Sequence, residues 1–153
     1  MMIRLRKTLG FTLAAVLAVI GASGAAAQSG TPIAVYKSPT CGCCSKWVEH
    51  LRANGFAPTA TNVEDMTAIK AKHHVPDAVQ SCHTAVVGGY IIEGHVPAAD
   101  IRRLLKEKPA VAGLAAPGMP LGSPGMEAPK APKYDVVSFD RDGRTRVYAT
   151  HGQ

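Results

Sequence analysis

The succession of short β-prone runs and apolar-periodic segments predicts a single mixed α/β domain, and three observations carry that expectation. Ile33 to Lys37 (IAVYK) is a β-prone run stopped by Ser38-Pro39. Cys44, Trp47, Val48 and Leu51 then recur at i, i+3, i+4 and i+7, which puts an apolar stripe on one face of a helix. Thr84 to Val87 and Tyr90 to Ile92 are strand-like runs joined by Gly88-Gly89, the kind of dipeptide that closes a tight hairpin.

The remaining elements fill in around these. Asn54-Gly55 ends the first helix, and Thr59 to Val63 reads as a second strand. Asp65 or Thr67 caps a brief helix through Ile69 to Lys72, closed by Val75-Pro76. Pro97 fits the first turn of a third helix with Ile101, Leu104 and Leu105 on its inner face. The resulting order, β-α-β-α-β-β-α, is that of a thioredoxin-like sandwich.

Beyond it, Pro109, Pro117, Pro120, Pro124, Pro129 and Pro132 are interleaved with glycines, and no periodicity survives. The segment 109–132 is predicted to be a Pro/Gly/Met-rich loop, long enough to be either disordered or functional. Tyr134 to Phe139 alternates, Asp142-Gly143 marks a turn, and Thr145 to Ala149 pairs back. This C-terminal β-hairpin over 134–150 is expected to extend or cover the sheet.

The N-terminus has the pattern of an export signal. Arg4, Arg6 and Lys7 precede an apolar run from Leu9 to Gly21, and Ala25-Ala26-Ala27 offers a small-x-small cleavage site. The run is shorter than the ~20 apolar residues of a spanning helix. Cleavage near Ala27 is therefore expected, with 1–27 as signal peptide and 28–153 as one exported domain that is not inserted in a membrane. In a bacterial cell that places it in the periplasm. The formal charge of +6 is inflated by three basic residues of that signal. What remains has no basic run longer than Arg102-Arg103 and few aromatics, which argues against nucleic acid as a partner.

All four cysteines lie beyond the cut, in an oxidising compartment where two structural disulfides are the ordinary reading. Their distribution argues otherwise. Cys41, Cys43 and Cys44 crowd one strand-to-helix junction, whereas disulfide staples usually join distant segments. Unpaired N–H groups and partial positive charge at a helix start stabilise thiolates and lower their pKa. Cys41 and Cys44 have the C-x-x-C spacing, and a Cys43–Cys44 bridge would be strained. Cys41–Cys44 is the favoured oxidised pair, leaving Cys43 either free or bonded to Cys82. Four cysteines allow three connectivities, and spacing does not choose among them.

In a thioredoxin-like fold the start of the Thr84 strand faces the C-x-x-C loop. Cys82 is then expected to complete a four-sulfur cluster, with His83 near it. Sulfur donors favour Cu(I) or zinc over hard ions. Met119 and Met126, held in Pro-Gly-Met turns, add thioethers that suit Cu(I) better than zinc. His95, between hairpin and third helix, either turns toward the cluster or sits in the loop. His50 and His151 read as solvated, and Trp47 as core.

Four motifs in series are similar to one family: CGCCxxW (Cys41 to Trp47), VP followed by SCHTA (Val75 to Ala85), GYxIEGHVP (Gly89 to Pro97) and GLxxPGMPxGSPGME (Gly113 to Glu127). Together they resemble the CopG-like periplasmic copper-resistance proteins, over roughly Ile33 to Tyr148. The resemblance implies a thioredoxin-like fold, export, and copper binding through Cys41, Cys43, Cys44 and Cys82, with His83, His95, Met119 and Met126 as further candidate ligands. It also implies a role in copper tolerance, by interconverting Cu(I) and Cu(II) or passing copper to another periplasmic carrier or exporter. The alternative is a thiol–disulfide oxidoreductase in which Cys41 attacks and Cys44 resolves. The extra Cys43 and the lack of a proline directly before the Thr84 strand weaken it.

Overall fold

The computed structural model describes residues 30–153. The expected export signal at 1–27 and its expected cleavage near Ala27 lie outside the described residues. Seven strands and three α-helices follow in the order β1 (Thr31–Lys37), α1 (Gly42–Ala53), β2 (Phe56–Asn62), α2 (Met66–Lys72), β3 (His83–Val87), β4 (Tyr90–Gly94), α3 (Ala98–Glu107), β5 (Gly113–Ala116), β6 (Tyr134–Phe139) and β7 (Thr145–His151). They form one sheet in the order β2-β1-β3-β4-β5-β6-β7. The expected α/β class, the helix-strand succession through α3 and the C-terminal hairpin are all present.

Two layers flank the sheet because its strands alternate. Leu114 and Ala116 of β5 join Ile33, Val35, Ala85 and Ile92 in a core closed by Trp47, Val48 and Leu51 of α1 and Ile101 and Leu104 of α3. The intervening Ala115 faces the other way, into a smaller cluster with Val75, Val79 and Phe139. The spacing read in the sequence is what α1 buries: Cys44, Trp47, Val48 and Leu51.

The expectation for 109–132 needs correction. Gly113–Ala116 is a fully buried strand, parallel to β4 and antiparallel to β6. The run Gly-Leu-Ala-Ala has no β-branched or aromatic residue and little intrinsic β-preference, so pairing on both sides decides its state. Gly113 is required there, because a Cβ would meet the Ile91 carbonyl oxygen at 1.9 Å. The hairpin extends the sheet through β5 and runs to His151. Arg103 of α3 also ties it down, donating to the Tyr148 carbonyl at 2.7 Å.

Smaller corrections concern helix ends. Pro97 is the N-cap of α3 and lies outside its first turn. The first free N–H, that of Ala98, is taken by His50 Nε2 at 3.1 Å, so His50 is a capping group, not a solvated residue. His151 likewise pairs with Asp100 at 2.7 Å. At α2 the capping choice resolves to Asp65, whose carboxylate accepts from Ala68 N.

Candidate metal centre

Strand register decides what meets at the end of β1. Lys37 pairs with His83 across β1 and β3, so the residue before β3 lies where β1 gives way to α1. Thr84 pairs with Glu93 across β3 and β4, and continuing that register sets Cys82 opposite His95. The loop after β1 supplies the other cysteines. Cys41 is the N-cap of α1, its sulfur accepting from Cys44 N at 3.3 Å, so this sulfur receives a helix-terminal N–H.

The sulfurs of Cys41, Cys43, Cys44 and Cys82 all lie within 4.8 Å of one another. Cys41 and Cys44 are joined in a disulfide, while Cys43 and Cys82 are free and half-buried. Cys43 Sγ is 3.5 Å from Cys41 Sγ. A second group, Cys82, His83 and His95, also has its ligand atoms within 4.8 Å of one another. His95 Nε2 is 3.0 Å and His83 Nδ1 3.3 Å from Cys82 Sγ. Cys82 is therefore common to both groups. His95 turns toward the cluster, which decides between its two expected placements.

The imidazoles are held by their surroundings. His95 Nδ1 donates to the Pro124 carbonyl at 2.7 Å, leaving the Nε2 lone pair for the sulfur side. His83 is fully buried, packs at a tilt against the Trp47 indole with ring centroids 4.3 Å apart, and leaves Nε2 without a hydrogen-bond partner. Burial holds the pKa of His83 well below its ordinary value and also depresses that of His95, against the Pro124 and Glu127 oxygens. Both rings are therefore neutral near pH 7, the form that ligates a metal.

Cys82 goes the other way. Desolvation and the neighbouring Cys43 push its thiol up to about 11. The lowering expected for thiols at a helix start does not reach this cysteine, which sits at a strand start. A metal taking this sulfur must displace a proton.

The Pro/Gly/Met segment lies over the site. Gly118 N donates to the Gln80 carbonyl at 3.1 Å, and Ser81 Oγ donates to the Gly118 carbonyl. Gly125, at φ +88°, packs so closely on α1 that a Cβ would meet the Cys43 carbonyl at 2.7 Å and Trp47 N at 3.0 Å. Met126 follows and is half-buried. Met119 is 54 % exposed and is not enclosed with the sulfurs and imidazoles.

Sequence reasoning missed a buried polar network behind Cys82. Glu93 is fully buried on β4. Its Oε1 accepts from Ser81 N at 2.7 Å and from Lys70 Nζ, and its Oε2 accepts from Thr84 Oγ1 at 2.7 Å. Lys70 Nζ also donates to Thr84 Oγ1 at 3.3 Å. Burial pushes the Glu93 carboxyl up, and the Lys70, Thr84 and Ser81 donors oppose that shift. The available signal was an acid directly after the apolar run Tyr90-Ile91-Ile92 and a lysine on the brief second helix.

Fold and site together define an α/β protein with a four-cysteine cluster of soft-metal character, bordered by two neutral histidines. The family described as "Protein of unknown function, DUF411" matches residues 79–126. Two solved structures, both titled as copper resistance protein CopG and distinguished as form 1 and form 2, are similar to the chain. Form 1 is 45 % identical, spans 81 % of this chain and 99 % of its own, and has a TM-score of 0.76. Form 2 is 46 % identical, spans 80 % and 98 %, and has the same TM-score. No curated protein sequence matches. The chain belongs to the CopG family of copper resistance proteins.

Proposed function

We propose that this chain is a periplasmic copper-handling protein that captures Cu(I) in the pocket formed by Cys41, Cys43, Cys44 and Cys82 and contributes to copper resistance. The observation that carries this reading is the approach of all four sulfurs to within 4.8 Å of one another. Thiolate sulfur and imidazole nitrogen are donors for Cu(I), and His83 and His95 border Cys82. Met126, beside the close contact of Gly125 with α1, is a further ligand candidate; Met119 joins only if its loop folds inward. The β2-β1-β3-β4 part of the sheet, with β1 and β2 parallel and β3 and β4 antiparallel, supports a thioredoxin-like reading of the first half. The export pattern at 1–27 supports a mature domain over 28–153.

Redox state gates the site in this reading. Joining the Cys41 and Cys44 thiolates releases two electrons, which two Cu(II) ions accept in becoming two Cu(I). A thiol reductant restores the thiolates. The test is Cu(I) titration of the anaerobically reduced chain. Several Cu(I) per chain are expected, with fewer in Cys43→Ser and in Cys82→Ser. An unchanged copper count in both variants sinks the proposal, and tighter binding of zinc than of Cu(I) would redirect it to zinc.

One observation favours a second reading. Cys41 is half-exposed and Cys44 buried, the asymmetry of an attacking and a resolving thiol in disulfide exchange. Copper-free reduction of insulin disulfides that is lost in Cys41→Ser would promote that reading.

A further inference from the structure

Two charged side chains lie buried directly behind the pocket, where neither provides a donor atom to it. Glu93 and Lys70 face each other beneath β3, with Glu93 on β4 and Lys70 on α2. A buried ion pair is weak evidence for stability, because desolvation offsets most of the attraction. What the pair touches is more informative. One Glu93 oxygen takes the N–H of Ser81 and the other takes the hydroxyl of Thr84. Those residues bracket Cys82 and His83 on either side, and Glu93 itself stands two residues before His95.

We propose that Glu93 is a positioning residue for the metal pocket: its carboxylate, held by Lys70, clamps Ser81 and Thr84 and so fixes Cys82 against His95 and the α1 cysteines. Every group facing the carboxylate is a donor. Thr84 accepts from Lys70, so its own hydroxyl proton is directed at Glu93. One rigid fork thus sets the register of β3, and with it the sulfur that both ligand groups share. This inference rests on the copper reading above. Partners that orient ligands without binding metal are generally worth roughly 10–100-fold in metal affinity.

The test is competitive Cu(I) titration, with bicinchoninate as competitor, of the anaerobically reduced full chain. It compares the unaltered protein with Cys82→Ser, Glu93→Gln, Thr84→Val and Thr84→Ser, and adds Leu104→Ala as a core truncation in α3. Thermal midpoints are measured on the metal-free forms. Glu93→Gln should weaken Cu(I) binding roughly tenfold or more and bring the copper count down to that of Cys82→Ser. Thr84→Val, which keeps the shape and loses the hydroxyl, should show a smaller loss that Thr84→Ser does not show. Leu104→Ala should lower the midpoint and leave affinity intact.

Unaltered affinity and count in both Glu93→Gln and Thr84→Val, alongside copper loss in Cys82→Ser, would overturn the inference. So would affinity losses that follow the midpoint across the whole set, Leu104→Ala included. If Cys82→Ser itself loses nothing, the copper reading fails, and a metal-free measurement then decides the positioning role. Iodoacetamide labelling mapped by mass spectrometry should be faster at Cys82 in Glu93→Gln and Thr84→Val. Equal labelling rates reject the clamp.

Discussion

Cys41, Cys43 and Cys44 share one turn at the start of α1, whereas Cys82 immediately precedes β3, His83 opens it, and His95 lies between β4 and α3. The first group is brought together by chain connectivity, because a single helical turn suffices. The second exists only if two strand registers agree, and a slip of one residue would move every side chain to the opposite face. It is accordingly braced: Pro124 orients His95, Trp47 backs His83, and the buried Glu93–Lys70 pair holds the residues flanking Cys82. Local clustering brings sulfurs close at little cost in structure, and assembly across a sheet needs a supporting shell.

The most disruptive way to break the contrast is at the residue that joins the halves. Trp47 belongs to the helix of the first group, packs against His83 of the second, and donates to the Val96 carbonyl at 2.9 Å. Trp47→Ala should cost about 3–5 kcal/mol, read as a lower denaturation midpoint in urea. A loss under 1 kcal/mol would show that the two groups are independent.

Gly125 offers a sharper instrument, since it touches α1 without belonging to either group. Gly125→Ala meets the Cys43 carbonyl and a positive φ at once, and should cost about 2 kcal/mol. Cu(I) affinity should fall as the loop lifts from His95. Unchanged stability and affinity would mean that the loop does not brace the site.

The smallest effect expected is that of pH. Burial depresses the His83 pKa, so below its ordinary value of 6.5 the unfolded chain binds a proton that the folded chain does not. Folding stability therefore rises with pH through this window and falls on acidification. The metal-free protein should be less stable at pH 5.5 than at pH 7.5, by on the order of 1 kcal/mol, on account of His83. His95, whose lowered pKa is opposed by the Pro124 carbonyl and Glu127, adds a smaller share in the same direction. His83→Gln should flatten the profile, and an unchanged slope would place the titration elsewhere.

Much of this protein was legible in order along the chain. The α1 stripe, the Gly88-Gly89 hairpin, the terminal hairpin and the three clustered cysteines are local patterns, in which neighbours within a few residues decide the outcome. The strand at Gly113–Ala116 was not legible, because a run of four residues, three of them Gly or Ala, takes its conformation from the strands on either side. Glu93 and Lys70 were hidden for a related reason. A charged residue in a short element reads as exposed until its partner, 23 positions away in the chain, is placed beside it.

By itself the sequence determined a helix start crowded with sulfur, because spacing along one turn is a covalent property of the chain. The tertiary structure decided that His95 turns toward Cys82 beside that turn, and that an acid and a lysine are buried behind them. Those contacts depend on strand pairing and on excluding water from the sheet, and both are properties of the folded chain as a whole.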